Sequence, residues 1–574
     1  MPVVTFRRRD LCRVIGRDVP LETLATRMPM MGGDLDKADA TADAITIEWF
    51  PNRPDLLVLE GTGRALRAFL DAKPGLPQYT VGKAQTELKV DASVAAVRPY
   101  AALCFVRNVP FDEEYVQLVI DAQEKLTFSP GRRRRKVAIG IHDAGGLRGP
   151  FTYTAVGPKD KPFVPLNETR PMTPEQILKE HPKGIEYGHL LDTAAAPRAG
   201  AAAAPAAPGG RRFPVFLDGA GEVISMPPVI NAQRTAVTAA TKDILIDVTG
   251  TDLKAVRQTV ALLATCFAER GGTIEAVTVH DASGTWTSPD LRPSEHVLHT
   301  DDVATLLGLQ WSGEDTAKAL RRMGHDADAF DNKVHVKVGA WRQDILHPVD
   351  LMEDIGVGYG FDRFPGELPR AATFGGKLPH QDLEDALRAL LVGHGWHEAR
   401  TLTLSDAKAQ WTKWGEPAGA AVRLLNPVVE DQTLLRMRLL PSLLHVLAQN
   451  RHRSLPQRLF EVGYVVEQGG KAKGHKVSKE SMGWHNRLHL AGVEVAAKTG
   501  FSEAKGLVES LLRDARIPAT LQAATKAGFI AGRSGAIQVK GQVVGHFGEL
   551  HPDTVVAFGL TAPAVAFEMD LELI

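Results

Sequence analysis

A chain of 574 residues is too long for one hydrophobic core, and at ~100–200 residues per domain it divides into roughly three to five. Lys and Arg total 67 against 68 Asp and Glu, a formal net charge of −1. That balance excludes a uniformly basic nucleic-acid binder and leaves room only for a local basic face. The three cysteines, Cys12, Cys104 and Cys266, stand far apart with no CxxC and no zinc-type spacing, which argues against a disulfide framework. The opening "MPVVTFRRRDL" lacks the apolar stretch of a secretory leader, and no apolar run approaches the ~20 residues of a membrane span. The expectation is a cytoplasmic protein with no membrane contact.

In chain order, the first block (1–75) reads as a small α/β module. It ends on "IEWFPNRPDLLVLEGTGRALRAFL" (47–70), where Leu56, Leu57, Leu59, Ala65, Leu66, Phe69 and Leu70 form a helical face after a Pro-marked turn. Residues 71–90 are polar and Pro/Gly-spotted, and read as a linker. A mixed α/β block (90–285) follows. Strands are predicted at 101–109, 136–143, within 212–228 and at 243–252, and helices at 112–128 and 253–271, the latter closed by Gly271 ahead of another strand. Inside this block "TAAAPRAGAAAAPAAPGG" (193–210) has no core-forming side chains, and Pro197, Pro205 and Pro208 oppose a helix; it reads as a disordered insertion.

A third block (290–368) has helices at "DDVATLLGL" and "SGEDTAKALRRMG" and the strand "KVHVKVG", a winged-helix-like pattern. The last block (372–574) begins with a helix whose Leu383, Ala386, Leu387, Leu390 and Leu391 share one face, with Gly393 and Gly395 as its stops. Strands are predicted at "ARTLTL", "RLFEVGYVV", "RLHLAGVEVA", "GAIQVKGQVVGHFGEL" and "AVAFEMDLEL". Many strands with few crossover helices favour an antiparallel sheet with flanking helices. The fold class is thus α/β and α+β, multidomain.

The stretch "WRQDILHPVDLMEDIGVGYGFDRFP" (341–365) is the densest acidic patch. Pro348 suits the first turn of a helix, so Asp350, Glu353 and Asp354 fall at i, i+3 and i+4 on one face, with Asp344 just ahead. Oxygen donors in that pattern suit Mg²⁺, and the absence of spaced His or Cys disfavours zinc. A solvated acidic helix start, favoured by the helix dipole, explains the same spacing, and spacing alone leaves both open.

From "NRPDLLVLEGTGRALRAFL" (52–70), "KVAIGIHD", "FTYTAV" and "MTPEQILKEHPKGIEYGHLL" to "PPVIN", "DVTGTD" and "DILHPVDLMEDIGVGYGFD", the chain resembles the β subunits of phenylalanyl-tRNA synthetases, in their shorter archaeal and eukaryotic-cytosolic form. The likeness runs on through "NPVVEDQTLLRMRLLPSLLHVLAQN", "LFEVG", "FIAGRSGAI" and "GHFGELHP". The Ala/Pro insertion departs from the pattern. The resemblance implies Mg²⁺ at the D-x5-D-x2-E-D positions Asp344, Asp350, Glu353 and Asp354, with Asp362 outside the motif as a turn residue. It implies tRNA editing in the 90–285 block, with Ser225, Asn231, Asp247 and Thr249 matching the pocket. Asp247 or Asn231 would contact a phenol hydroxyl, and Thr249 would position water or ribose.

It also implies a class II synthetase-like fold in the last block. A working site of that class has an Arg and a Glu on one strand face, whereas Arg458 and Glu461 are three apart and so on opposite faces. No Arg stands at the helix after "GHFGELHPD", and Arg533 lies upstream of it. No catalytic residue for aminoacylation is therefore expected in this chain. The resemblance assigns activation of phenylalanine, with ATP, to an α subunit in a complex of two α and two β, and tRNA(Phe) as the nucleic-acid partner. The helix after Pro441, with Leu443, Leu444 and Leu447, would form the subunit interface. His142 and Asp143 read as a chance neighbour pair without a nucleophile, and the 131–136 run "GRRRRK" (Arg132–Arg135) as a solvated loop or a tRNA-backbone contact. A free-standing aminoacyl-tRNA deacylase and a nucleic-acid-binding regulator are the competing functions.

Overall fold

The computed structural model describes residues 2–191, 212–368, 374–378, 380–468 and 483–574. The 193–210 insertion lies outside the described residues. The chain forms two compact units, Met1–Glu367 and Leu368–Ile574.

The first unit opens with a three-stranded antiparallel sheet in which Ala44–Trp49 lies between Val3–Arg7 and Gly33–Asp39. Two helices, Arg8–Ile15 and Leu59–Phe69, meet so closely that a Cβ on Gly63 would sit 2.5 Å from the Val14 side chain. The predicted face is buried as far as Leu56, Leu57, Leu59, Leu66 and Phe69, with Ala65 and Leu70 partly covered. Glu60 is buried among them. Arg270 lies 3.7 Å away, too far for a hydrogen bond, so burial pushes the Glu60 carboxyl up to about 7. Because the folded pKa lies above the usual 4.5, this stability is present below pH 4.5 and lost as pH rises through 7. Glu60→Gln is expected to stabilise the chain at pH 8 by up to ~3 kcal/mol and to change little at pH 4, as read from urea midpoints at the two pH values.

The predicted linker is in part sheet. Val81–Gly82 and Glu87–Val90 are strands, the first parallel to Thr273–Glu275, the second between Phe151–Val156 and Val277–Asp281. Segments of two and four residues carry too little alternation to read as strands from sequence. Around them stand a five-stranded and a seven-stranded sheet. In the five-stranded sheet Ile244–Gly250 is paired antiparallel with Tyr100–Arg107 on one side and Val137–Asp143 on the other. Strand alternation divides its residues: Ile244, Ile246 and Val248 join the core with helices Glu113–Phe128 and Leu253–Glu269, while Leu245 joins Phe151, Tyr153 and Phe216 of the second sheet. Asp247 and Thr249 share the Leu245 side. Asp252 caps the Leu253–Glu269 helix by accepting from Ala255 N at 3.1 Å, and Gly271 (φ 98°) follows that helix.

Next come three strands and three helices. Lys333–Val338 lies between Ser294–His299 and Asp326–Phe330, packed with Thr300–Leu307, Gly313–Arg322 and Pro348–Tyr359. The Ser294–His299 strand was not expected; four of its six side chains are exposed, so no apolar alternation marks it.

The second unit is built on a seven-stranded sheet whose long strands, Gln457–Gln468, Trp484–Val495, Ala564–Asp570, Gln542–Leu550 and Phe529–Val539, pair antiparallel. Gln381–Gly393 and Phe501–Asp514 cover one face, and Leu440–Gln449 covers the other. Ala386 is exposed, which narrows the predicted apolar stripe. "ARTLTL" is strand only at Leu404–Ser405, because Thr401 turns its backbone N–H and hydroxyl onto the Glu461 carboxylate. Pro441, Leu443, Leu444 and Leu447 are buried against the chain's own sheet. This corrects their reading as an interface: a partner could meet only the outer face of that helix, where His445 and Gln449 are exposed.

Candidate functional site

The Val137–Asp143 and Ile244–Gly250 strands bring together residues about a hundred positions apart. Gly140 lies directly across from Asp247 and His142 directly across from Leu245. Asp247 Oδ2 accepts from Ser225 Oγ at 2.8 Å and stands 2.8 Å from His142 Nε2, and His142 Nδ1 is 2.9 Å from Thr235 Oγ1. All four residues are buried. A Cβ on Gly140 would sit 2.4 Å from Asp247 Oδ2 and 2.7 Å from His142 Nε2, so only glycine leaves room for this contact.

Asp247 and Gly140 line a cavity of about 390 Å³, together with Asn231 and Thr235 and, among its basic groups, Arg134, His181 and Lys183. Asn231, directly across from Ser225, donates weakly to Ile141 O at 3.4 Å and keeps its amide at the wall. Ser225 is behind Asp247 and does not line the space. Thr249 is fully buried and accepts from Arg98 Nε at 2.8 Å. Although it shares a strand face with Asp247, it does not reach the cavity, which removes the expected role in positioning water or ribose. Burial pushes Arg98 down to about 10 despite Tyr153 and Asp247 nearby.

Sequence reasoning missed Thr235 and read His142 as a chance neighbour of Asp143. Glycine and histidine two apart in "IGIHD" share a strand face, and that was the available signal. Arg134 is not simply solvated: it donates to Pro228 O and Val229 O, pairs with Glu124 at 2.8 Å and lies over the Tyr187 ring, whereas Arg132, Arg133 and Arg135 are exposed. Asp143 accepts from Gly145 N and Thr241 Oγ1, a loop-closing role.

In the acidic stretch the helix begins at Pro348 as expected, with His347 as cap, and Asp350 Oδ2 accepts from Leu346 N and His347 N at 2.7 Å. Asp344 is held by both arms of Arg342, at 2.9 and 2.6 Å. Asp354 is buried and takes a third bond from Arg342 at 2.7 Å and one from His325 Nε2 at 2.7 Å, while Glu353 is exposed. The guanidinium of Arg342, itself buried, thus neutralises two of the four acids. No three of the four bring ligand atoms within 4.8 Å of one another, so they do not make a four-carboxylate Mg²⁺ cage. Asp362 sits in the short turn Phe361–Arg363 that follows the helix.

Arg458 and Glu461 part as predicted: Arg458 pairs with Glu494 at 3.0 Å, whereas buried Glu461 pairs with Arg436 at 2.9 Å. Arg533 is engaged with Glu549 on a neighbouring strand.

Residues 296–361 match the family model described as tRNA synthetase B5 domain, and 364–571 match phenylalanyl tRNA synthetase beta chain CLM domain. The whole chain is 39% identical over 574 residues to a phenylalanine–tRNA ligase β subunit of Methanothrix thermoacetophila, with 100% of each chain covered. The chain belongs to the phenylalanine–tRNA ligase β-subunit family. Relatives of the same name include those of Archaeoglobus fulgidus, 37% identical with 100% of this chain and 98% of the relative covered, and Methanocaldococcus jannaschii, 35% identical with 100% of each covered. An N-terminal fragment of the phenylalanyl-tRNA synthetase β subunit from Pyrococcus horikoshii superposes with a TM-score of 0.57 at 33% identity, covering 62% of this chain and 99% of the fragment. Membership of this family makes the chain part of an aminoacyl-tRNA synthetase, and no helix among the described residues is long and apolar enough to cross a membrane.

Proposed function

We propose that this chain is the non-activating subunit of a phenylalanine–tRNA ligase and that the Asp247 cavity hydrolyses tyrosine mistakenly esterified to tRNA(Phe). One observation carries the editing reading: a buried carboxylate, fixed from behind by Ser225 and His142, forms part of the wall of a cavity large enough for an aminoacyl group. A phenol hydroxyl entering that cavity can donate to Asp247, and a phenyl ring cannot. A site built to hydrogen-bond a hydroxyl discriminates far better than an apolar pocket that must reject one, which is why the second site is useful. Asn231 can hold the substrate's polar backbone end, and Arg134 and Lys183 supply positive charge for the terminal phosphates. Water attacks the ester carbonyl, the bond to the ribose oxygen breaks, and tyrosine and free tRNA leave.

Activation is assigned to an α subunit that binds the ATP, and the expected assembly is two α with two β. The commitments of Arg458, Glu461 and Arg533 to local ion pairs support leaving this chain out of the activation step. Asp350 and Glu353 keep carboxylate oxygens that a hydrated Mg²⁺ could meet at the surface, but the Arg342 pairing gives no reason to route chemistry through an ion there. Co-expression with a candidate α subunit should yield phenylalanine charging together with Tyr-tRNA(Phe) deacylation. Assembly with no gain in charging would overturn the subunit reading, and deacylation by a monomer at the full rate would favour the free-standing deacylase.

A further inference from the structure

A second cluster lies on the sheet of the Leu368–Ile574 unit, in a region to which the proposed function gives no task. Glu467, His489 and Asp570, from three adjacent strands, each bring one ligand atom within 4.8 Å of the others. His489 lies directly across from Asp570. It is 8% exposed, and its Nδ1–H donates to Glu568 Oε1 at 2.9 Å. Glu568 is fixed in turn by Leu439 N and Leu440 N at 2.9 and 3.2 Å. With Nδ1 occupied, Nε2 is buried and has no hydrogen-bond partner. Its nearest carboxylate oxygen, Glu467 Oε1, is 3.7 Å away.

That separation is too long for a hydrogen bond and close to what an intervening ion requires. With metal–nitrogen and metal–oxygen bonds of ~2.0–2.2 Å in a tetrahedron, the two ligand atoms stand roughly 3.4 Å apart. An imidazole whose far nitrogen is held by a carboxylate is the usual form of a metal-ligating histidine, since the carboxylate fixes its tautomer and orientation. Asp570 is likewise preset: Arg487 donates to its Oδ2 at 2.9 and 2.6 Å, and its Oδ1 accepts from Glu572 N at 2.9 Å. Arg487 pairs with Asp570 and Glu572, while Glu568 and Glu467 face His489, so carboxylates crowd the two sides of the imidazole and favour a cation there.

We propose that Glu467, His489 and Asp570 form a binding site for a divalent transition-metal ion of the Zn²⁺ class, with water as the fourth ligand. An imidazole in the ligand set selects against Mg²⁺ and Ca²⁺. Such an ion ties three strands of the sheet together and gives the lone Nε2 its partner.

The test uses the full chain, stripped with chelator, loaded with Zn²⁺ and dialysed before elemental analysis, with Co²⁺ as an optical probe. Wild type should retain one equivalent of Zn²⁺ and show Co²⁺ visible bands of tetrahedral intensity. His489→Gln and Glu467→Gln should each lose the bands and weaken binding at least tenfold. Glu467 is half exposed, so its substitution leaves the fold intact and decides the question if the histidine variant fails to fold. A wild type that retains no ion, or an equivalent that survives Glu467→Gln unchanged, overturns the assignment.

Discussion

Replacing Arg342 with methionine should cost the chain ~3–5 kcal/mol, because it strips the cation from two carboxylates at once. Arg342 and Asp354 are buried and Asp344 is nearly so, and the three side chains meet at 2.6–2.9 Å. Burial works against ionisation of Asp354, but Arg342 and His325 overcome it and hold the carboxyl far below its usual range. With its partner gone, Asp354 must be protonated or remain an uncompensated charge. Burial holds His325 below its usual range, which favours a neutral imidazole, and its Nε2 stands 2.7 Å from Asp354 Oδ2.

The sign of the pH dependence follows. Both folded pKa values are depressed, so the stability these groups confer is present above their unfolded values and is lost on acidification. The His325 contribution declines as pH falls below 6.5, and the Asp354 contribution below 3.8. Urea unfolding of Arg342→Met against wild type at pH 7.5 checks the magnitude. A difference under ~1 kcal/mol would mean that the guanidinium is not what holds these acids. The double variant Arg342→Met, Asp354→Leu should recover part of the loss, since an apolar pair can replace a buried ionic one.

This network also shows where the sequence was legible and where it was not. Pro348 announced the helix start, and the 3.6-residue period placed three acids near one another, both being local signals. Whether a given acid points inward was not local: Asp354 is buried because it meets His325 from another segment, while Glu353, one residue earlier, faces solvent. A nearer clue went unread, because Arg342 and Asp344 are two apart in one extended stretch and can share a face. The Pro441 helix is similar. Its leucine period indicated one apolar face, which is buried against the chain's own sheet, but a period cannot distinguish a core from an interface. The resemblance implied one pocket for Asp247 and Thr249, but only Asp247 lines the cavity. The strand runs past the end of the cavity, so one partner of an i, i+2 pair reaches the open space and the other meets Arg98.

Asp247→Asn is expected to lower kcat/KM for Tyr-tRNA(Phe) deacylation by roughly 10- to 100-fold while leaving phenylalanine charging unchanged. The estimate follows from the ~1.5–3 kcal/mol carried by a hydrogen bond to a charged group, converted to a ratio of rates. Asparagine keeps the volume but offers a weaker acceptor to the phenol, and it must turn its amide so that Ser225 and His142 still meet the oxygen. Ser225→Ala removes one bond from behind the carboxylate and should cost less. Gly140→Ala should be as severe as Asp247→Asn, because its Cβ would press on Asp247 Oδ2 from 2.4 Å and displace the carboxylate from the wall. If Asp247 instead serves only the fold, Asp247→Asn will lower the unfolding midpoint without changing deacylation of the folded fraction, and the editing assignment falls. Loss of deacylation at an unchanged midpoint, with charging intact, separates a recognition role from a structural one.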